Sequence, residues 1–124
     1  MSARFADVVG VRVEEAAEGR SFLRLALTPM HLNLHGIVHG GVPFTLADTA
    51  MGAAVHSRLA PGQACVTVEI KISFFKPAQG DELVAVARVV HLGRTLAHVE
   101  ADVHAGERLV SRATGTFAVI DRRP

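Results

Sequence analysis

The sequence contains no tryptophan, no tyrosine and only six phenylalanines. That excludes a core anchored on large aromatic rings and leaves Val, Leu, Ala and Ile to build one by pattern. A single cysteine, Cys65, excludes an internal disulfide and fits a reducing compartment. Excess charge is missing too: 13 basic against 12 acidic residues leave a formal net charge of +1, which excludes the strongly basic balance of a nucleic-acid or membrane-surface binder. No apolar run is long enough to span a membrane, and the opening Met-Ser-Ala-Arg-Phe is not a basic segment leading into an apolar one. No membrane partner is expected, and the cytoplasm is the expected location. Repeats, linkers and low-complexity tracts are also absent, so the 124 residues predict one domain, 1–124, around a single core.

What is present is organised around His39-Gly-Gly-Val-Pro-Phe-Thr-Leu-Ala-Asp48. Pro43 suits the first turn of a helix, where its missing donor is not needed, and Gly40 and Gly41 bare the backbone N–H groups of that turn. The pattern predicts a helix from Val42 to about Leu59, closed by Pro61-Gly62 and apolar on every side, hence enclosed. Asp48 then lies in an apolar run. Such a carboxylate either bonds a hydroxyl such as Thr45 or Thr49 or, with its pKa raised by burial, serves as a general base or a nucleophile. Gly40 and Gly41 are either a plain helix start or an oxyanion site whose N–H polarises a thioester or ester carbonyl.

Strands are expected on both sides of that helix. Val9 to Glu14 and Phe22 to Thr28 read as a hairpin about a Glu15–Gly19 turn, and Met30 to Val38 as an ordered loop or short helical turn leading into the helix. Beyond the helix, Val66, Val68, Ile70, Ile72 and Phe74 alternate as an inward face, with Thr67 and Phe75 on the other. A turn at Pro77–Asp81, then strands at 83–90, 95–104 and 109–120, predict four consecutive hairpin-linked strands, with residues 121–124 frayed. The class is α+β, an antiparallel sheet that curls around one helix or shares its cover with a second subunit.

Spacing bears on chemistry. Gly40 and Asp48 are eight residues apart, about 12 Å along a helix, so one chain cannot easily bring both to one carbonyl carbon. A second, antiparallel copy can, and a twofold axis then makes two equal sites. His31, His35 and His39 recur every four residues, but Gly36 breaks a helix there and no carboxylate or cysteine completes a set, so no metal site is predicted and His39 is read as a loop support. Asn33 reads equally as a turn residue or a polar contact. Lys71, Lys76, Arg88, Arg94 and Arg112 are scattered, with Lys76 and Arg94 at turns where a phosphate can be met. Phe44, Leu46 and Met51 are the expected pocket wall.

Taken together, Asn33-Leu-His-Gly-Ile-Val-His39-Gly-Gly41, Leu46-Ala-Asp48, Thr67-Val-Glu-Ile70 and Phe74-Phe-Lys-Pro-Ala78 resemble the hotdog-fold acyl-CoA thioesterases of the phenylacetate-pathway (PaaI-like) type. The resemblance spans nearly the whole chain and implies a long central helix wrapped by a curved antiparallel sheet of about five to six strands. It implies dimers with shared active sites that commonly pair into tetramers. It implies hydrolysis of an acyl-CoA, aromatic such as phenylacetyl-CoA or medium-chain, with no cofactor beyond the CoA of the substrate. Asp48 is then nucleophile or base, the Gly40 N–H polarises the carbonyl, and Asn33 and His39 shape the site beside it. Thr67 falls where a hydroxyl meets the attacking water, although its alternation points it away from its own helix. Gly41, Phe75, Lys76 and Pro77, with the turn of His91, Gly93, Arg94 and Thr95, become CoA contacts. A non-catalytic acyl-CoA binder and an enoyl-CoA hydratase are the alternatives; the hydratase is disfavoured because no His follows Asp48 before His56.

Overall fold

The computed structural model describes residues 3–122. In chain order the elements are α1 (Phe5–Val9), β1 (Val11–Ala17), β2 (Arg20–Ala26), α2 (Gly41–His56), β3 (Gln63–Phe74), β4 (Glu82–Leu92), β5 (Leu96–Ala105) and β6 (Arg108–Asp121), with a 3-10 turn at Pro29–His31 before α2. The six strands form one antiparallel sheet in the order β1-β2-β4-β5-β6-β3. α2 touches all six. Between helix and sheet lie Leu23, Leu25, Leu46, Met51, Leu83, Val99 and Val103, all essentially without exposure. Each such side chain stabilises the fold by roughly 1.5–3 kcal/mol. An aliphatic core under one curved sheet is what the aromatic-poor composition called for.

Several local expectations are corrected. Val9 ends a short helix, not a strand: the Arg4 N–H donates to Asp7 Oδ2 at 3.1 Å, and Gly10 at φ 102° stops the turn. The first hairpin is tighter than read, because only Glu18 and Gly19, both at positive φ, form its turn and Glu15–Ala17 remain in β1. That turn chemistry matches the twist of paired strands. α2 stops at His56, not near Leu59; the Ser57 hydroxyl donates to the Ala54 carbonyl and accepts from the Gly19 N–H, tying the helix end to the hairpin. Of the tail expected to fray, Asp121 closes β6 and the Arg122 N–H donates to the Gly62 carbonyl; residues 123 and 124 lie outside the described residues.

The larger correction concerns β3. It does not form a hairpin with β4. It pairs with β6 at the edge of the sheet, and residues 75–81 carry the chain across to β4, tethered by Phe75 N–H to the Val110 carbonyl and Leu27 N–H to that of Asp81. Pro77 lacks the donor that a continuing ladder would need. β3 also has no single inward face. Its register with β6 shifts between Thr67 and Glu69, so Cys65 and Thr67 face the helix before the bulge and Ile70 and Ile72 face it after. Val66 and Val68 are left 51% and 57% exposed. One extra residue reverses side-chain parity.

α2 is not enclosed all round either. Thr45, Asp48, Thr49 and Gly52, at helical spacing, form a half-exposed stripe beside β3. On the outer face of the sheet, two of the scattered cations are paired. Arg112 hydrogen-bonds both oxygens of Asp102 and holds that carboxyl below its usual range, and Arg88 grips Glu100.

Candidate active site

The loop that enters α2 is built on polar side chains. His31 is 3% exposed; its Nδ1 accepts from the Thr28 N–H at 3.0 Å, so Nε2 carries the proton and donates to the Val9 carbonyl at 2.6 Å. Both ring nitrogens are thus committed to the fold. His31→Ala removes the partners of a carbonyl and an amide, and an expected loss of about 2–3 kcal/mol is read by urea denaturation. An unshifted midpoint would show the ring to be dispensable.

Asn33 Oδ1 accepts from the His35 and Ile37 N–H groups at 2.8 and 3.1 Å, and Gly36, at φ 76°, closes the turn. Here Asn33 is the organiser of the loop before the helix. His39 Nδ1 accepts from the Gly41 N–H at 2.8 Å, and a Cβ on residue 41 would meet that nitrogen at 3.0 Å, so a larger residue there would press on the ring that caps it. Gly41 therefore spends its donor inside the chain. Gly40 does not: among the described residues no group accepts its N–H.

That N–H stands at the positive end of a 16-residue helix, beside a cleft of about 330 Å³. Gly40 and Pro43 line one side, and Phe74, Phe75, Lys76 and Pro77 the other. Three of the residues expected to contact CoA are thus gathered with the expected carbonyl polariser. A Cβ on residue 40 would lie 3.7 Å from the ring of Phe74, the first residue of the Phe74–Ala78 motif.

The second group is centred on Asp48. Thr67 donates to Asp48 Oδ1 at 2.8 Å within the same chain. Strict alternation had turned Thr67 away from its helix; the bulge turns it inward. Thr45 and Thr49 are not partners of the carboxylate, since their hydroxyls bond back to the Gly41 and Thr45 carbonyls. Cys65, two residues before Thr67, donates towards the Gly52 carbonyl, and burial, then the nearby Asp48 charge, push its thiol up in pKa. It stays a protonated neighbour, not a nucleophile.

The two groups are separate within one chain. Gly40 and Asp48 lie about 12 Å apart along α2. The turn carrying His91, Gly93, Arg94 and Thr95 is elsewhere: its Thr95 carbonyl accepts from Val119 near the end of β6, whereas Phe74 pairs with Ser111 near its start. From Ser111 to Ala118, the partner of Leu96, the strand covers about 23 Å. Leu46 and Met51, expected to wall a pocket, are fully buried core. The β3 bulge leaves no mark in the sequence, because Cys65-Val-Thr67 alternates as well in either parity.

Residues 35–111 match the family model of the thioesterase superfamily. The chain is 37% identical to the acyl-coenzyme A thioesterase PaaI of Escherichia coli over 72% of this chain and 62% of that one. It is 33% identical to human acyl-coenzyme A thioesterase 13 over 90% of this chain and 76% of the relative. In three dimensions it is similar to a Bacillus halodurans protein solved with CoA, at a TM-score of 0.89 and 37% identity, over 98% of this chain and 82% of the other. With the helix, the sheet and the family match in agreement, the chain belongs to the thioesterase superfamily and is an enzyme of the hotdog fold.

Proposed function

We propose that the protein hydrolyses an acyl-CoA thioester to the free acid and CoA, at a site made by two copies of the chain. The Gly40 N–H of one copy polarises the carbonyl, and Asp48 of the other attacks it or deprotonates the water that does. One observation carries this reading. The free donor and the carboxylate sit two turns apart on the same helix, and Asp48, bonded to Thr67 on the edge strand β3, is not among the residues that line the Gly40 cleft. Names borne by relatives support the substrate class: two are acyl-coenzyme A thioesterases, and a structural neighbour was solved with CoA.

The two sheet edges differ in a way that supports pairing. β1 is short, bulged between Val13 and Glu15, and carries Arg12, Glu14 and Glu15, the features of a guarded edge. β3 is a 12-residue edge with Val66 and Val68 exposed. Antiparallel pairing of two β3 strands extends the sheet, covers the stripe around Asp48, and brings the 91–95 turn of one copy towards the Gly40 cleft of the other. Lys76 and Arg94, far apart in one chain, then serve one CoA as phosphate contacts. Pairing of such dimers into a tetramer is part of the same proposal, and light scattering reads the mass.

In this scheme a thioester is already activated, so a placed carboxylate and a preorganised dipole carry the chemistry. Attack at the carbonyl carbon pushes charge onto its oxygen beside Gly40. Collapse expels CoA as the thiolate, and the acid leaves directly or, if Asp48 attacked, after water cleaves the mixed anhydride. Thr67 occupies Oδ1 and leaves Oδ2 for the reaction. Thr67→Ala is expected to lower kcat about tenfold with little change in KM, and Thr67→Ser to recover most of it; equal loss in both would remove the hydroxyl from the account.

The test of activity is free-thiol release from phenylacetyl-, hydroxybenzoyl- and medium-chain acyl-CoAs, followed with a thiol reagent. One CoA thiol per ester consumed is the expected result. Binding without thiol release would make the protein an acyl-CoA binder, and loss of an enoyl-CoA without thiol release would make it a hydratase.

A further inference from the structure

Among the described residues one fully buried side-chain oxygen has no hydrogen-bond partner: Ser111 Oγ, in a residue 1% exposed. The comparison with Ser21 is direct, because that equally buried hydroxyl donates to the Ala50 carbonyl at 2.6 Å. Ser111 opens the inward row of β6 that continues through Ala113, Gly115 and Phe117, and it pairs across to Phe74 on β3 and Val103 on β5. It also lines the cleft beside Gly40. A hydroxyl there costs the fold what an alanine would not, since burial strips its water and nothing in the chain replaces it. The rest of that end of the cleft is apolar, with Ile37, Val38 and Pro43 beside it.

We propose that Ser111 is a specificity-determining residue, whose hydroxyl hydrogen-bonds an oxygen carried by the acyl group, a hydroxyl or a ketone, so that oxygen-bearing acyl-CoAs are preferred over the hydrocarbon of the same length. The inference rests on the reading that the Gly40 cleft receives the acyl part. Gly40 fixes the thioester carbonyl at the cleft, and exposed Lys76 marks the side on which the charged CoA remains. The buried hydroxyl is therefore left to the acyl group. A site with a buried polar group discriminates against a ligand that leaves that group unpaired.

The experiment compares kcat/KM for hexanoyl-CoA with a series bearing a hydroxyl or keto group at successive carbons, in wild type and in Ser111→Ala. At the best position the wild type is expected to favour the oxygenated ester roughly tenfold, and the variant to bring that ratio to about one with no fall in melting temperature. No preference at any carbon, or a preference that survives in Ser111→Ala, would overturn the proposal. So would a lowered melting temperature in the variant, which would mean that the hydroxyl has a structural partner. If no ester is cleaved, the thioesterase reading falls by itself, and calorimetric Kd ratios for the same pairs decide on Ser111 by the same criteria.

Discussion

Asp48→Asn abolishes hydrolysis: kcat falls by at least about a thousandfold, the scale on which a positioned base or nucleophile contributes, while the Kd for acyl-CoA changes little. The substitution preserves shape and can still accept from Thr67, whose hydroxyl donates to Asp48 Oδ1 in the native chain. What it removes is the negative charge, and with it both the capacity to take a proton from water and the capacity to attack. Because Asp48 is half-exposed on a stripe of α2 and not packed in the core, the variant should fold and dimerise normally. Calorimetry with a slowly cleaved acyl-CoA measures the binding, and thiol release measures the rate. Turnover retained within tenfold of wild type would remove Asp48 from the chemistry.

Gly40→Pro has the next largest expected effect, a loss of about a hundred- to a thousandfold in kcat, the range seen when one oxyanion donor is removed. The backbone is already suited to the substitution, because Gly40 has φ −57° and proline fixes φ near −65°. Its N–H has no acceptor among the described residues, so no internal hydrogen bond is lost. The variant thus deletes a donor that the described fold does not use. Gly40→Ala keeps the donor and places a methyl 3.7 Å from the Phe74 ring, an ordinary contact; it should lose far less. Equal losses in the two variants would show that bulk, not the N–H, is what the position excludes.

Much of this was legible from the residues alone, and the failures share a cause. Helical spacing from Val42, the Gly40-Gly41 start and the alternating strands that follow sufficed for an α+β fold with one helix on a sheet. Asp48 stood out because a carboxylate in an apolar run is costly. Sequence periodicity reports which side of a strand is apolar but not which strand lies beside it, so the pairing of β3 with β6 was missed in favour of the nearer β4. Nor does it report one backbone choice. The bulge between Thr67 and Glu69 reverses the parity of β3, and through it Thr67 reaches Asp48. The helix looked uniformly apolar because Thr45 and Thr49 satisfy their own hydroxyls against the helix backbone, which hides an exposed stripe among small residues. From spacing alone His39 reads as a loop support and Asn33 equally as a turn residue, and the family resemblance is what makes them site residues; the bonds they form, to Gly41 and within the 33–37 turn, are local geometry that spacing does not report.

The central claim is that each site takes Gly40 from one chain and Asp48 from the other, and complementation tests it most directly. Asp48→Asn and Gly40→Pro chains, each inactive alone, are unfolded together, refolded as a mixture and assayed for thiol release. With random pairing half of the dimers are mixed, and each mixed dimer holds one site with neither lesion, so the mixture should recover about a quarter of wild-type activity per chain. A mixture no more active than its two components, with mixed dimers shown to have formed, would place both residues in a site within one chain and contradict the account.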